Sequence, residues 1–259
     1  MILIEPDGMT DEVRAANPDG ASSVVLVCEH ATAFVPTALA GLGLSPEAAR
    51  SHAAWDPGAL GVATWLSALL DAPLVAGVVS RLVCDCNRPP GAPDSAAARS
   101  EIHDVPGNAG LSPAQRAERA ARHYVPFRDA LASAIATRRA PVIVTIHSFT
   151  PVYAGQMRAV QIGILHDADA RLADAMLASA PRHTALRVER NAPYGPRDGV
   201  THTLQRHALP GGHPNVMIEI RNDLIETGAE QTRMAEMLAA WLAAAFATLH
   251  EPGHVACTG

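Results

Sequence analysis

The chain has 259 residues, 48% of them hydrophobic and 18% charged, which is enough apolar material for a sizeable core and too much for a disordered chain. A formal net charge of -6 speaks against a nucleic-acid partner, because phosphate binding wants a basic face. All twenty basic residues are Arg, and the absence of Lys excludes Schiff-base and pyridoxal-phosphate chemistry, a lysine general base and the ordinary P-loop.

No window approaches the ~18 uninterrupted apolar residues that span a bilayer. The N-terminal stretch sets Glu5, Asp7, Asp11, Glu12 and Asp19 against Arg14 alone and does not read as a secretory signal. Cys28, Cys84, Cys86 and Cys257 form no disulfide framework, so a reducing cytoplasm is the expected home. Taken in chain order, the first buried-strand pattern is Val24–Val27. Asp56-Pro57 offers an N-cap with Pro at the first helical position and leads into a helix over Leu60–Leu70. Strands follow at Leu74–Val78 and Leu82–Cys86. Ser112-Pro113 opens a long helix to about Arg139, kinked at Pro126. Next come strands Val142–Ile146 and Val160–Leu165, a helix over Ala168–Ala178, strands Ala185–Val188 and Val216–Ile220, and a last helix over Ala229–Leu249. This alternation predicts a three-layer α/β fold, a mixed and mostly parallel sheet with helices on both faces. The core spans about residues 20–249 of a single domain, with terminal extensions at 1–19 and 250–259.

In such folds the ligand crevice lies at the C-terminal strand ends, so the residues there are the candidates for chemistry. They are Glu29 and His30, Asn87 and Arg88, His147 and Ser148, and Glu219. His30 alone reads equally as a loop-capping histidine, but with His147 at an equivalent place the two offer neutral imidazoles to a zinc ion. A third ligand is needed, and Asp56 and Glu29 compete for the role. Asp56 also reads as a plain helix N-cap, while Glu29 follows an extended strand that points it away from His30 unless the backbone turns. Cys84 and Cys86 share a strand face and read as core. Arg81 and Arg88 bracket an apolar strand, where a guanidinium fork beside the Asn87 amide suits a carboxylate, the alternative being an ion pair with Asp85 or Asp94. Glu219, inside an apolar strand, is either a base near zinc or the ion-pair partner of Arg221 or another Arg.

His147-Ser148-Phe149 resembles the His-Ser-Tyr segment that carries the last zinc ligand of zinc carboxypeptidases, and Asp85-x-Asn87-Arg88 resembles their Asn-Arg carboxylate clamp. The fuller resemblance is to the N-formylglutamate amidohydrolase family. Its pattern appears as Glu29-His30-Ala31, Trp55-Asp56-Pro57-Gly58-Ala59, Ser80-Arg81-x-x-x-Asp85-x-Asn87-Arg88, Ile146-His147-Ser148-Phe149, Asn191-x-Pro193-Tyr194 and Ile218-Glu219-Ile220-Arg221-Asn222-Asp223-Leu224, over about residues 20–245. The resemblance implies a zinc-peptidase-like α/β fold and one zinc ion per chain held by His30, Asp56 and His147. It implies Glu219 as general base, Arg81 as oxyanion stabiliser, and Asn87, Arg88 and Tyr194 as substrate-binding residues. The carboxypeptidase pattern places a ligand three residues after the first His, where Ala33 stands here, and Asp56 opens the corresponding helix instead.

The implied reaction is zinc-dependent hydrolysis of the amide of a small, acidic N-acyl amino acid, by metal-activated water with a Glu base. Two other readings stand beside it. One is a non-catalytic small-molecule binding protein on a degenerate hydrolase fold. The other is a Cys28–His30 hydrolase, whose pair lies two residues apart in a strand with uncontrolled geometry.

Overall fold

The computed structural model describes residues 14–250. Of the expected extensions, residues 1–13 and 251–259, Cys257 among them, lie outside the described residues. Seven strands form one mixed sheet: β1 (Arg14–Ala16), β2 (Val24–Cys28), β3 (Leu74–Ala76), β4 (Val142–Phe149), β5 (Ile162–Leu165), β6 (Val188–Arg190) and β7 (Asn215–Arg221). Their order is β1-β3-β2-β4-β7-β5-β6. The block β3-β2-β4-β7 is parallel, β1 runs antiparallel to β3, and the parallel pair β5–β6 runs antiparallel to β7. The central strands read as apolar runs because helices cover both faces.

Five helices complete the frame: α1 (Ala59–Leu70), α2 (Pro113–Arg119), α3 (Val125–Ala136), α4 (Arg171–His183) and α5 (Gly228–His250). Alternation along the strands splits the core in two. Val24, Leu26, Val142, Val144, Ile146, Val216, Ile218 and Ile220 face α1, α4 and α5, where Leu66, Met176 and Trp241 close the packing. Val25, Val27, Ile143 and Met217 face the other way, against Phe127, Leu131 and Ile135 of α3 and against Leu204 and Ala208. By the same period, His147 and Glu219 project from the α3 side of the sheet. None of the described helices is long and apolar enough to cross a membrane.

The structure departs from the sequence reading at several points. Leu82–Cys86 is not a strand but a run of turns. Ser80 takes the local amides instead of a ladder, its carbonyl accepting from Val83 N (2.8 Å) and its Oγ from Leu82 N (3.1 Å). The apolar pattern there is real but serves another purpose: Leu82, Val83 and Cys84 pack with Leu42, Ala54, Val105 and Tyr124 beneath the loops. The strand expected at Ala185–Val188 lies at Val188–Arg190, after Thr184 ends α4. Arg14–Ala16, placed in a terminal extension, is an edge strand. Asp56 does not cap α1, whose N-cap is Gly58 at φ 81°, where an added Cβ would lie 2.4 Å from Ile225 O. The expected helix from Ser112-Pro113 begins with a full capping box to Gln115. It reaches Pro126 through a π turn at Ala120–Tyr124, the device that absorbs the proline's missing donor.

Candidate metal centre

β4 continues three residues past the expected end, so His147 lies within the strand and pairs in register with Glu219 of β7. β2 ends at Cys28 and the chain turns at Glu29 and His30, which lets neighbouring side chains approach one site instead of opposite faces. The rings of His30 and His147 meet edge to face with centroids 4.9 Å apart. Asp56, on the loop into α1, completes the group: its Oδ2 lies 2.9 Å from His147 Nδ1 and 3.4 Å from His30 Nδ1, and accepts from Ser148 N at 3.2 Å. One ligating atom from each of His30, Asp56 and His147 lies within 4.8 Å of the other two, and all three residues are buried.

Each imidazole presents one nitrogen to Asp56 and has its other nitrogen backed by a carboxylate. His30 Nε2 sits 2.8 Å from Asp85 Oδ1, and His147 Nε2 sits 3.0 Å from Glu29 Oε2. Metal-binding histidines are oriented in this way, with the outer carboxylate fixing the tautomer and ring. Glu29 therefore stands behind His147, and Asp56 is the carboxylate that lies between the two imidazoles. The donors fit a first-row divalent ion such as zinc, since two imidazoles and a carboxylate form a known catalytic set.

Charge explains why the cluster suits a cation. Burial pushes the Asp56 carboxyl up, but the Arg81 guanidinium and the imidazoles outweigh it and hold it well below the usual carboxylate range. Burial lowers His147, yet Glu29 and Asp56 draw it well above the ordinary imidazole value. Glu219 behaves oppositely. Burial, with Asp56 adding to it against the pull of His147, pushes its carboxyl up to about 7. Its Oε2 is buried and has no hydrogen-bond partner. The ion pair considered for Glu219 is absent: Arg221 instead contacts Asp223 at 2.8 Å and Arg158 O at 3.0 Å.

These groups border a cavity of about 250 Å³ that is also lined by His52, Arg81, Asn87, Arg88, Tyr153 and Tyr194. Arg81 donates from Nη2 to Asp56 Oδ1 and leaves its Nε buried without a partner. Asn87 Nδ2 donates to Val200 O at 2.6 Å, and its Oδ1 accepts from Thr203 N at 3.0 Å. Arg88 pairs with Asp94 at 2.8 Å and donates to Gly199 O at 2.7 Å. Tyr194 accepts at its phenol oxygen from Arg158 Nη2 at 2.8 Å. The reading of the sequence missed three neighbours. His52, 3.5 Å from Asp56 and held near pKa 3 by burial and Arg81, was signalled only by its spacing of four from Asp56. Asp85 was weighed as a partner for an Arg, and Arg158 was passed over. Cys28 is wholly buried, and burial raises its thiol well above the ordinary value, which removes the Cys28–His30 hydrolase.

A mixed α/β sheet with a buried His-Asp-His group at its C-terminal strand ends, beside a glutamate whose Oε2 has no partner, is a frame that could hold a metal ion at a ligand crevice. The chain belongs to the N-formylglutamate amidohydrolase family, whose model matches residues 22–226. It is 53% identical to a gene product, Atu2144, of Agrobacterium tumefaciens, whose crystal structure superposes with a TM-score of 0.90 over 93% of this chain and 96% of that one. The crystal structure of N-formylglutamate amidohydrolase from Ralstonia eutropha JMP134 shares the fold, with a TM-score of 0.67 at 18% identity over 93% of this chain and 99% of that one. No curated protein matches the chain. Family membership makes this chain a hydrolase of the amidohydrolase type.

Proposed function

We propose that the protein is a zinc-dependent amidohydrolase that cleaves the amide bond of a small N-acyl amino acid, N-formylglutamate-like. The observation that carries this reading is the buried His30–Asp56–His147 group with the unpartnered oxygen of Glu219 beside it. His30, Asp56 and His147 would hold a zinc ion, which would supply Lewis acidity toward an amide carbonyl and water. Asp85 and Glu29 hold the two imidazoles in the orientation that such a role requires. Glu219 takes the proton lost by water as its oxygen bonds to the carbonyl carbon, and passes it to the nitrogen as the C–N bond breaks. Arg81, beside Asp56, offers donors to the carbonyl oxygen as negative charge gathers there. Asn87, Arg88 and Tyr194 shape the end of the cavity that receives the amino-acid half. A volume of about 250 Å³ suits a short acyl group. The free thiols of Cys28, Cys84 and Cys86 support a reducing compartment, the cytoplasm.

The test combines metal analysis with a hydrolysis screen of N-formyl, N-acetyl and N-succinyl amino acids. Protein purified without chelators is expected to carry stoichiometric zinc and to release free amino acid from a subset of the panel. Zinc without turnover of any N-acyl amino acid, together with substrate binding, would replace the enzyme with a binding protein. Loss of stoichiometric metal on a protein that still turns over would remove the mechanism.

A further inference from the structure

An acidic N-acyl amino acid brings a carboxylate into the cavity, and the groups expected to meet it are occupied. Both ends of the Asn87 amide hold the 200–203 segment, and Arg88 is paired with Asp94. A different cation stands nearby. Arg158 follows the ribbon formed by Val152–Tyr153 and Gln156–Met157, and its backbone is fixed at both ends: its N donates to Pro151 O at 2.7 Å and its O accepts from Arg221 at 3.0 Å, two residues beyond Glu219. Three aromatic rings enclose its guanidinium, with centroids 4.6 Å (Tyr153), 4.8 Å (Tyr194) and 5.5 Å (Phe149) from Cζ. Among the described residues no carboxylate lies within ion-pair distance of it.

The contact between Arg158 and Tyr194 has a defined polarity. A guanidinium only donates, so the phenol oxygen of Tyr194 is the acceptor at 2.8 Å. The single O–H of Tyr194 is then left for another acceptor, and Tyr194 lines the cavity. A cation behind a phenol polarises that O–H and strengthens the hydrogen bond it makes to an anion. Aromatic walls hold the guanidinium in place beside the cavity, where its donors stay aimed at Tyr194.

We propose that Tyr194, backed by Arg158, is the carboxylate anchor of this site: the phenol donates to the carboxylate of the bound N-acyl amino acid, and Arg158 is the positioning residue that orients the phenol and supplies the positive charge. This rests on the amidohydrolase reading for the identity of the substrate, but not for the existence of the anion site. The experiment measures binding of N-acetylglutamate and of its uncharged diamide by calorimetry, and kcat and KM for whichever N-acyl amino acid the screen finds, in wild-type protein and in Tyr194→Phe, Arg158→Gln, Arg158→Lys and Arg88→Lys.

Tyr194→Phe and Arg158→Gln are expected to weaken the acid by about tenfold, the worth of one hydrogen bond to a charged group, while binding of the diamide, zinc content and kcat hold. Arg158→Lys should recover part of that loss, and Arg88→Lys should weaken the acid less than Tyr194→Phe does. Equal losses for acid and diamide, a fall confined to kcat, or a larger effect from Arg88→Lys would each overturn the assignment. Selective binding of the acid that depends on Tyr194, in a protein that hydrolyses nothing, would sink the enzyme and leave the anchor standing. No binding of either compound by the wild-type protein would sink both.

Discussion

Glu219 occupies a position that a carboxylate reaches only at a cost, since an acid inside an apolar strand loses its water and here gains no partner for Oε2. Its register partners are His147 on one side and Gly163 on the other, so His147 is the ionisable one, and Arg221 on the same strand turns instead to Asp223. Glu219→Gln therefore breaks no ion pair. The variant should fold, melt close to the wild-type temperature and keep its zinc, while kcat falls by about 10²–10⁴, the usual loss with a general base. Melting temperature, metal content and turnover on the same sample check all three parts. Unfolding of the variant would mean that the carboxylate is structural after all. His30, His147 and Glu219 were legible as candidates because each is an ionisable residue in or just after an apolar run. Asp56 was legible only by its place before a helix, and that same place suggested a capping role that the structure assigns to no side chain. The pairing of Asp85 with His30 and of Glu29 with His147 was beyond a single sequence, because each spans a turn whose path the residues themselves do not announce.

At the scale of elements, the segment from Ser80 to Arg88 shows what apolar patterning can and cannot say. Its burial was readable and its conformation was not, because hydrophobicity marks what is covered by neighbours, and a hydroxyl and a few carbonyls decide whether the backbone runs straight. Ser80 makes that decision. Its Oγ donates to Ala54 O at 2.7 Å and accepts from Leu82 N, and the same stretch binds Arg81 N to Ala54 O at 3.2 Å. Ser80→Ala leaves the buried Leu82 amide without its acceptor and removes one of the two donors on Ala54 O, and should cost about 1–3 kcal/mol in a denaturant titration. It should also lower kcat through a displaced Arg81 while zinc affinity holds. Unchanged stability would show that the turn is set elsewhere. Strands β2 and β7 and helices α1 and α5 were foreseen nearly to their ends, since each carries an unbroken period over a buried face, whereas β4 runs three residues further than expected and α4 lies at Arg171–His183 instead of 168–178. The edge strand β1 was not foreseen, having three residues and only one partner.

For the molecule as a whole, two histidines apart from the candidate metal group shape the response to pH. His123, buried in the π turn, and the half-buried His207 are both drawn down to about 4, first by burial and then by neighbouring arginines, Arg122 for the former and Arg206 for the latter. The folded protein refuses a proton that the unfolded chain accepts near the ordinary value of 6.5. Their contribution to stability is complete above that value, is lost as the pH falls through the interval towards 4, and changes no further below it. The melting temperature of His123→Phe should accordingly fall less steeply than that of the wild type between these limits, and the two curves should run parallel above them. Parallel curves throughout would mean that His123 titrates alike in both states.

The candidate metal centre has two halves of different mechanical character. His147 and Glu219 are register partners on adjoining central strands, each paired along nearly its whole length. Parting them means unzipping the middle of the sheet. His30 and Asp56 belong to a turn and a loop joined by one backbone hydrogen bond, Asp56 N to His30 O at 2.9 Å. The arrangement is that of a vice with one fixed jaw. Local opening of a loop generally takes less free energy than global unfolding, so an ion held there would be able to leave and return while the sheet stays closed. Glu219 and His147 would then keep their spacing through every such exchange, and the site would re-form around a fixed half without the chain having to refold.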